Sequence, residues 1–128
     1  MDELIRQARD ALEHAYAPYS EYKVGAAVQT LSGEVFTGCN IEIANYSNTI
    51  HAEELAIASA VISGHREFQS IAVTTIERDG AAPCGMCRQT MEEFCDSDFR
   101  ILLDRGDNHR EVELSELLPH SFGKHNIK

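Results

Sequence analysis

The residues of this chain best suited to chemistry are His51-Ala52-Glu53 and, further along, Pro83-Cys84-Gly85-Met86-Cys87. One imidazole and two thiolates supply three ligands for zinc, and a catalytic zinc keeps its fourth tetrahedral position open to water. Glu53 stands two residues beyond His51. A carboxylate suits a site of soft ligands less well than His or Cys, so it is left to face the open position and carry protons. Zinc lowers the pKa of its water from about 15.7 to about 7, which supplies hydroxide at neutral pH. The pattern reads as a hydrolytic site holding one zinc ion per chain, with His51, Cys84 and Cys87 as ligands and Glu53 as the catalytic proton carrier.

Each half of the pattern is weak alone. Cys-x-x-Cys also marks redox dithiols and structural zinc knuckles, and His-x-Glu by itself carries little information. A redox pair expects no companion His-x-Glu. A structural zinc needs a fourth ligand, and the candidates Cys39, Cys95, His65 and His109 are scattered without forming a second close pair.

The 128 residues, 43% of them apolar, fit one domain, residues 1–128, around one core. No apolar run is long enough to span a bilayer, and Met1-Asp2-Glu3-Leu4 lacks the basic and then apolar stretches of a secretory signal. A cytoplasmic protein is expected. With Cys84 and Cys87 committed to metal, Cys39 and Cys95 read as buried thiols in a reducing compartment. The net charge of -10, with Lys23, Lys124 and Lys128 the only lysines, argues against a nucleic acid partner, because polyanion binding draws on clustered Lys and Arg. A small uncharged substrate is favoured.

The elements that must position these residues follow from periodicity. Leu4, Ala8, Ala11, Leu12 and Ala15 recur at helical spacing and predict a helix ending before Pro18. Segments 24–30 and 34–39 flank Leu31-Ser32-Gly33 and predict a hairpin. Segment 52–62 is helical and stops at Ser63-Gly64, which puts His51 at a helix start. A strand over 71–75 leads through a polar loop to Pro83, placed to open a helix carrying Cys84 and Cys87 in its first turn. Strands over 99–103 and 111–114 flank Arg105-Gly106-Asp107-Asn108. This order predicts an α/β fold, a three-layer α/β/α sandwich with a five-stranded mixed sheet. Helix N-termini favour thiolate over thiol, so Cys84 and Cys87 are expected to lose protons readily. Gly85 and Met86 are expected at close-approach and packing positions.

His-x-Glu with Pro-Cys-x-x-Cys is the signature of zinc nucleobase deaminases, and from about Ala15 to Gly123 the chain resembles the cytidine deaminases. The string from Ala17 to Ala27 resembles their first strand, which implies that Tyr22 packs against the substrate. Gly38-Cys39-Asn40-Ile41-Glu42 resembles the segment that holds the ribose 3'-hydroxyl through Asn40 and Glu42. A sugar hydroxyl can accept from the amide and donate to the carboxylate, and such pairing rejects a ligand lacking it. The plainer alternative for Asn40 is a loop Asx turn. Tyr46 resembles a residue that neighbouring subunits contribute near the sugar. Leu117-Leu118-Pro119 with Phe122-Gly123 resembles the C-terminal signature, whose Phe crosses a subunit interface to stack on the pyrimidine. Backbone groups around Ala52 and Cys84 are expected at the base edge.

The resemblance implies hydrolytic deamination of cytidine or 2'-deoxycytidine to uridine or deoxyuridine plus ammonia, in pyrimidine salvage, by a homotetramer with a dimer as the alternative. Blasticidin-type deaminases share Pro-Cys-Gly-Met-Cys-Arg, but Asn40, Glu42 and Phe122 favour an ordinary nucleoside. Deoxycytidylate enzymes need a phosphate pocket, for which no sequence candidate stands out. A noncatalytic zinc-stabilised module, with Glu53 on the surface, is the rival of another class.

The short-chain members usually present Cys-Ala-Glu-Arg where this chain has His51-Ala52-Glu53-Glu54, and the longer dimeric members present His. Zinc with three thiolates totals minus one, which an adjacent Arg offsets; zinc with two thiolates and an imidazole totals zero. Loss of the third thiolate and loss of the Arg are therefore read as coupled changes. Arg88 is the nearest remaining cation in sequence, a candidate for a hydrogen bond to a cysteine sulfur or for an ion pair. Ile43 and Asn45 also depart from the usual pattern of the sugar pocket. In a steady-state deamination assay, His51→Cys is expected to be impaired and His51→Cys with Glu54→Arg to regain part of the loss; a double variant no better than the single one would remove the coupling.

Overall fold

In this structure, a computed structural model that describes residues 1–127, the chain is organised from its first helix. Asp2 Oδ1 accepts the N–H groups of Leu4 at 2.8 Å and Ile5 at 3.3 Å, capping α1 (Glu3–Leu12). Leu4, Ile5, Ala8, Ala11 and Leu12 form its buried face. The helix stops short of Ala15 because the backbone beyond it is taken by the sheet margin. Tyr16 N–H donates to Asn40 O at 2.9 Å, and Tyr16 O accepts from Glu42 N–H at 2.8 Å.

β1 (Val24–Thr30) and β2 (Val35–Cys39) form the expected hairpin, with Gly33 at φ 99. α2 (Ala52–Ile62) occupies its expected span. β3 (Phe68–Thr75) begins at Phe68 rather than Ile71, since Thr30 and Gln29 extend the pairing to Phe68 and Ser70. α3 (Gly85–Phe94) starts after Pro83, with Cys84 as its N-cap. β4 (Arg100–Asp104) and β5 (His109–Glu113) follow. Leu114, expected to end a strand, instead opens the short α4 (Leu114–Leu117), where Glu113 N–H donates to Glu116 Oε1 at 3.0 Å. That turn and the 3-10 turns Tyr46–Asn48 and Lys124–Asn126 are too short for periodicity to reveal.

The sheet runs β2-β1-β3-β4-β5, with β3 and β4 parallel and the other pairs antiparallel. Alternation along the strands separates two cores. Ala27, Ala72 and Leu102 meet α1, while Ala26, Val28, Ile71, Val73, Ile101 and Leu103 face the side that holds α2 and Met91 of α3. The three-layer sandwich with a mixed five-stranded sheet is thus the architecture observed. Cys39 is buried and Cys95 half-buried; burial raises both thiols, Cys95 to about 12.

Two glycines let helix backbone rest directly on strand backbone. A Cβ at Gly25 would lie 2.2 Å from Ala8 O of α1, and one at Gly38 would lie 2.3 Å from Ala52 O and 2.6 Å from Ala56 N of α2. Both contacts are backbone to backbone, so no rotamer change could relieve them. Gly38 therefore sets the depth of the first turn of α2, the turn that carries His51 and Glu53.

α1 is also tied to the end of β4. Asp104, 2% exposed, receives Arg9 Nε at 2.7 Å and Nη2 at 2.8 Å, Thr74 Oγ1 at 2.7 Å and Gly106 N–H at 2.9 Å. Burial alone would raise this carboxyl, but the Arg9, Gly106 and Thr74 hydrogen bonds together hold it at about 2 against an ordinary 3.8. A depressed folded-state pKa gives stability that is present above the unfolded value and lost as pH falls through the folded one. The shift corresponds to about 2 kcal/mol. Urea unfolding of the wild type and Asp104→Asn at pH 5 is expected to show a clear gap that narrows as pH falls from about 4 towards 2; a gap independent of pH would contradict this account.

Candidate active site

The site forms where two helix N-termini converge at one end of the sheet. His51 is the N-cap of α2, with Ala52, Glu53 and Glu54 filling the first turn, while Cys84 is the N-cap of α3 and Cys87 lies in its first turn. Ile50 and Ile41 exchange backbone hydrogen bonds of 2.9 Å each way. That bridge fixes the residue before His51 against the segment Asn40-Ile41-Glu42. Glu54 Oε1 accepts the His51 N–H at 3.1 Å. The carboxylate that stands in place of the expected Arg thus satisfies one of the orphan donors of the helix start.

His51 Nδ1 lies 3.3 Å from Cys84 Sγ and 3.4 Å from Cys87 Sγ, and the three ligand atoms lie within 4.8 Å of one another. Tetrahedral zinc with ordinary Zn–N and Zn–S bonds separates such atoms by about 3.6 Å. One nitrogen with two sulfurs is also the donor set that zinc prefers. The group therefore fits a zinc ion in both spacing and chemistry.

Glu53 is 5% exposed, beside this triangle. Burial raises its carboxyl above the ordinary range, opposed by its own backbone hydrogen bond, the Cys87 side chain and the His51 imidazole. A carboxyl lifted in this way is better matched to exchanging protons near neutral pH. Burial also drives the Cys87 thiol far above its ordinary value, with the Glu53 charge and Cys84 adding to the effect. The expectation that Cys87 loses its proton readily is corrected for the metal-free chain: desolvation outweighs the helix N-terminus there. A cation bound beside it would reverse the balance.

A cavity of about 300 Å³ opens over these groups, lined among others by Tyr22, Asn40, Glu42, His51, Ala52 and Glu53. Asn40 is not the centre of an Asx turn. Its Oδ1 accepts from Val24 N–H and its Nδ2 donates to Tyr22 O, each at 2.9 Å, so it clamps the entry to β1 and keeps one amide hydrogen for other use. Glu42 accepts from Tyr19 N–H and Ser20 N–H at 3.0 Å each and from the Ser20 hydroxyl. The Ser20 hydroxyl is the first cause that lowers its pKa, with the backbone donors adding and burial opposing.

Tyr46 lines the adjoining mouth with Tyr19 and Glu42, at 73% exposure. Phe122 is 60% exposed and does not line the cavity; Gln89 Nε2 holds its carbonyl at 2.9 Å. A single chain thus brings together every site residue expected from the sequence except Phe122. Among the described residues Arg88 forms neither a sulfur contact nor an ion pair: Nε donates to Pro83 O and Nη1 to Leu117 O, both at 2.7 Å, tying the ligand loop to the C-terminal segment. Met86 is 47% exposed and, among the described residues and apart from its chain neighbours and own helix backbone, nothing lies within 4 Å of a Cβ at Gly85, so neither the packing expected of Met86 nor the close approach expected of Gly85 is observed. Ser20, Thr49 and Thr75 also line the cavity. Nothing in their spacing marks them, since hydroxyl side chains are common in turns and strand ends. Ile43 N–H donates to Thr49 Oγ1 at 3.1 Å and Asn45 Oδ1 accepts from Ser47 Oγ at 2.8 Å, so these two departures shape the loop behind the mouth.

Residues 1–103 match the family described as the cytidine and deoxycytidylate deaminase zinc-binding region. The chain is 43% identical to a cytidine deaminase of Halalkalibacterium halodurans over 93% of its own length and 91% of that protein. It is 39% identical to one of Sporosarcina psychrophila, covering 99% of this chain and 94% of the relative. The crystal structure of a cytidine deaminase from Burkholderia pseudomallei superposes with a TM-score of 0.89 at 42% identity, covering 95% of this chain and all of that one. With the His/Cys/Cys triangle beside a buried Glu53 and matches of this length, the chain belongs to the cytidine and deoxycytidylate deaminase family of zinc-binding proteins.

Proposed function

We propose that the chain is a zinc-dependent hydrolase that converts cytidine or 2'-deoxycytidine and water to uridine or deoxyuridine and ammonia. The observation that carries this is the burial of Glu53 beside His51, Cys84 and Cys87, in a cavity that Asn40 and Glu42 also line. When bound, zinc acts as a Lewis acid that makes water nucleophilic at neutral pH. Glu53 would accept a proton from the attacking water and pass it to pyrimidine N3 as C4 is attacked, then take the proton of the new C4 hydroxyl and carry it to the departing amine as C4 becomes a carbonyl. Asn40 and Glu42 orient the sugar through its 3'-hydroxyl, Tyr22 packs on the substrate, and backbone around Ala52 and Cys84 meets the base edge.

A nucleoside is favoured over its phosphate. Among the described residues, no Lys or Arg lines the cavity or its mouth, and Glu42 places a carboxylate there. A phosphate would meet repulsion with no cation to hold it. The four cysteines unpaired by disulfides fit work in the reducing cytoplasm, in pyrimidine salvage, and among the described residues no helix is long and apolar enough to cross a membrane. The whole chain is read as one catalytic domain. A homotetramer is the favoured assembly and a dimer the alternative, supported by the exposed ring of Phe122, which lies off the cavity of its own chain and which a second copy would bring to the site.

Ultraviolet absorbance of cytidine, deoxycytidine and blasticidin S with purified protein, alongside zinc per chain, tests the function. Loss of the cytidine signal with about one zinc per chain is expected, and zinc without turnover on any of the three would overturn the proposal. Glu53→Gln is expected to keep its zinc and lose at least about 10²-fold in kcat. Chains carrying Glu53→Gln, refolded together with chains carrying Phe122→Ala, are expected to exceed the activity of either alone. No gain on mixing would show that Phe122 does not act across an interface.

A further inference from the structure

Glu42 is held on one side more firmly than on the other. Its Oε1 accepts two backbone N–H groups, from Tyr19 and Ser20, each at 3.0 Å. Those bonds occupy both lone pairs of that oxygen. Among the described residues Oε2 accepts only the Ser20 hydroxyl, which leaves it one lone pair for a ligand. The direction of that free lone pair depends on where the Ser20 hydroxyl pulls the oxygen.

The Ser20 hydroxyl is itself fixed. Ser20 Oγ accepts the N–H of Tyr22 at 3.0 Å, so its own hydrogen is turned away from Tyr22 and towards Glu42. The bond spans Glu21, whose φ of 57 lies in the left-handed region that non-glycine residues rarely occupy. On the far side, Asn40 Nδ2 holds Tyr22 O at 2.9 Å. Ser20 lines both the cavity and its mouth, yet its hydrogen goes to Glu42 and one of its two lone pairs to Tyr22.

We infer that Ser20 is a positioning residue that sets selectivity for the sugar 3'-hydroxyl by aiming Glu42 Oε2 at it. This rests on the proposed role of Glu42 in holding that hydroxyl. Ser20 makes no contact required by the chemistry at the base, so its loss belongs in KM and not in kcat.

Steady-state kinetics on cytidine and 3'-deoxycytidine test the inference in the zinc-loaded enzyme. Wild type is expected to favour cytidine. In Ser20→Ala the KM for cytidine is expected to rise about tenfold, the size of one charge-assisted hydrogen bond, with kcat and the KM for 3'-deoxycytidine little changed. The preference for the 3'-hydroxyl then collapses, and Ser20→Thr, which keeps the hydroxyl, should retain it. An undiminished preference in Ser20→Ala, or an equal loss on both substrates, would overturn the inference while leaving the role of Glu42 standing. Absence of any preference in the wild type would instead remove the role of Glu42, and the inference with it.

Discussion

The first turn of α2 rests on the bare backbone of β2 because Gly38 carries no side chain to hold it off. This contact fixes the height of the helix start above the sheet, and the site is arranged around that height. His51, Ala52 and Glu53 all line the cavity, with Ala52 and Glu53 buried. The Ile41 to Ile50 bridge then brings Asn40 and Glu42 to the same opening from the strand side. A larger residue at Gly38 would displace helix backbone, and every one of these placements would move with it.

Burial supplies the reactivity and also its cost. Glu53 and Cys87 are both pushed towards their protonated forms because the protein encloses them; the Glu53 charge adds to the rise at Cys87, while the Cys87 side chain offsets part of the rise at Glu53. Two helix N-termini and a bound cation act in the opposite sense. Glu42 has another arrangement: it lies where three donors from the Tyr19-Ser20 turn satisfy it, so it remains an ionised acceptor. Two carboxylates in one cavity are thereby tuned apart by their surroundings.

Much of this was legible in the sequence where side-chain type and periodicity suffice. The grouping of His51 with Cys84 and Cys87 and the spans of β1 and α2 follow from ligand spacing and from long, regular patterns. Less legible were features that depend on backbone geometry. The early end of α1 follows from Tyr16 pairing across to Asn40 and Glu42, and the role of Gly38 follows from a close approach between elements distant in sequence. Arg88 was misjudged for a related reason. Charge suggested an anionic partner, but the guanidinium found two carbonyls whose positions only the assembled fold defines. The readiness of Cys87 to ionise was overestimated because helix position can be read from sequence while burial depth cannot.

The place of β3 in the sheet bears on how the molecule assembles. It is the middle strand, paired with β1 on one side and β4 on the other, and in the chain it separates His51 from Cys84 and Cys87. Bringing the ligands together therefore involves the long-range pairing of β3 with β1, a nonlocal step of the kind that slows folding. In a zinc finger the ion gathers a short stretch of chain and makes the fold. Here the ligands stand on two helices that the central strand separates in the chain, so a captured ion would tie together elements of one sheet-based core rather than gather a short stretch.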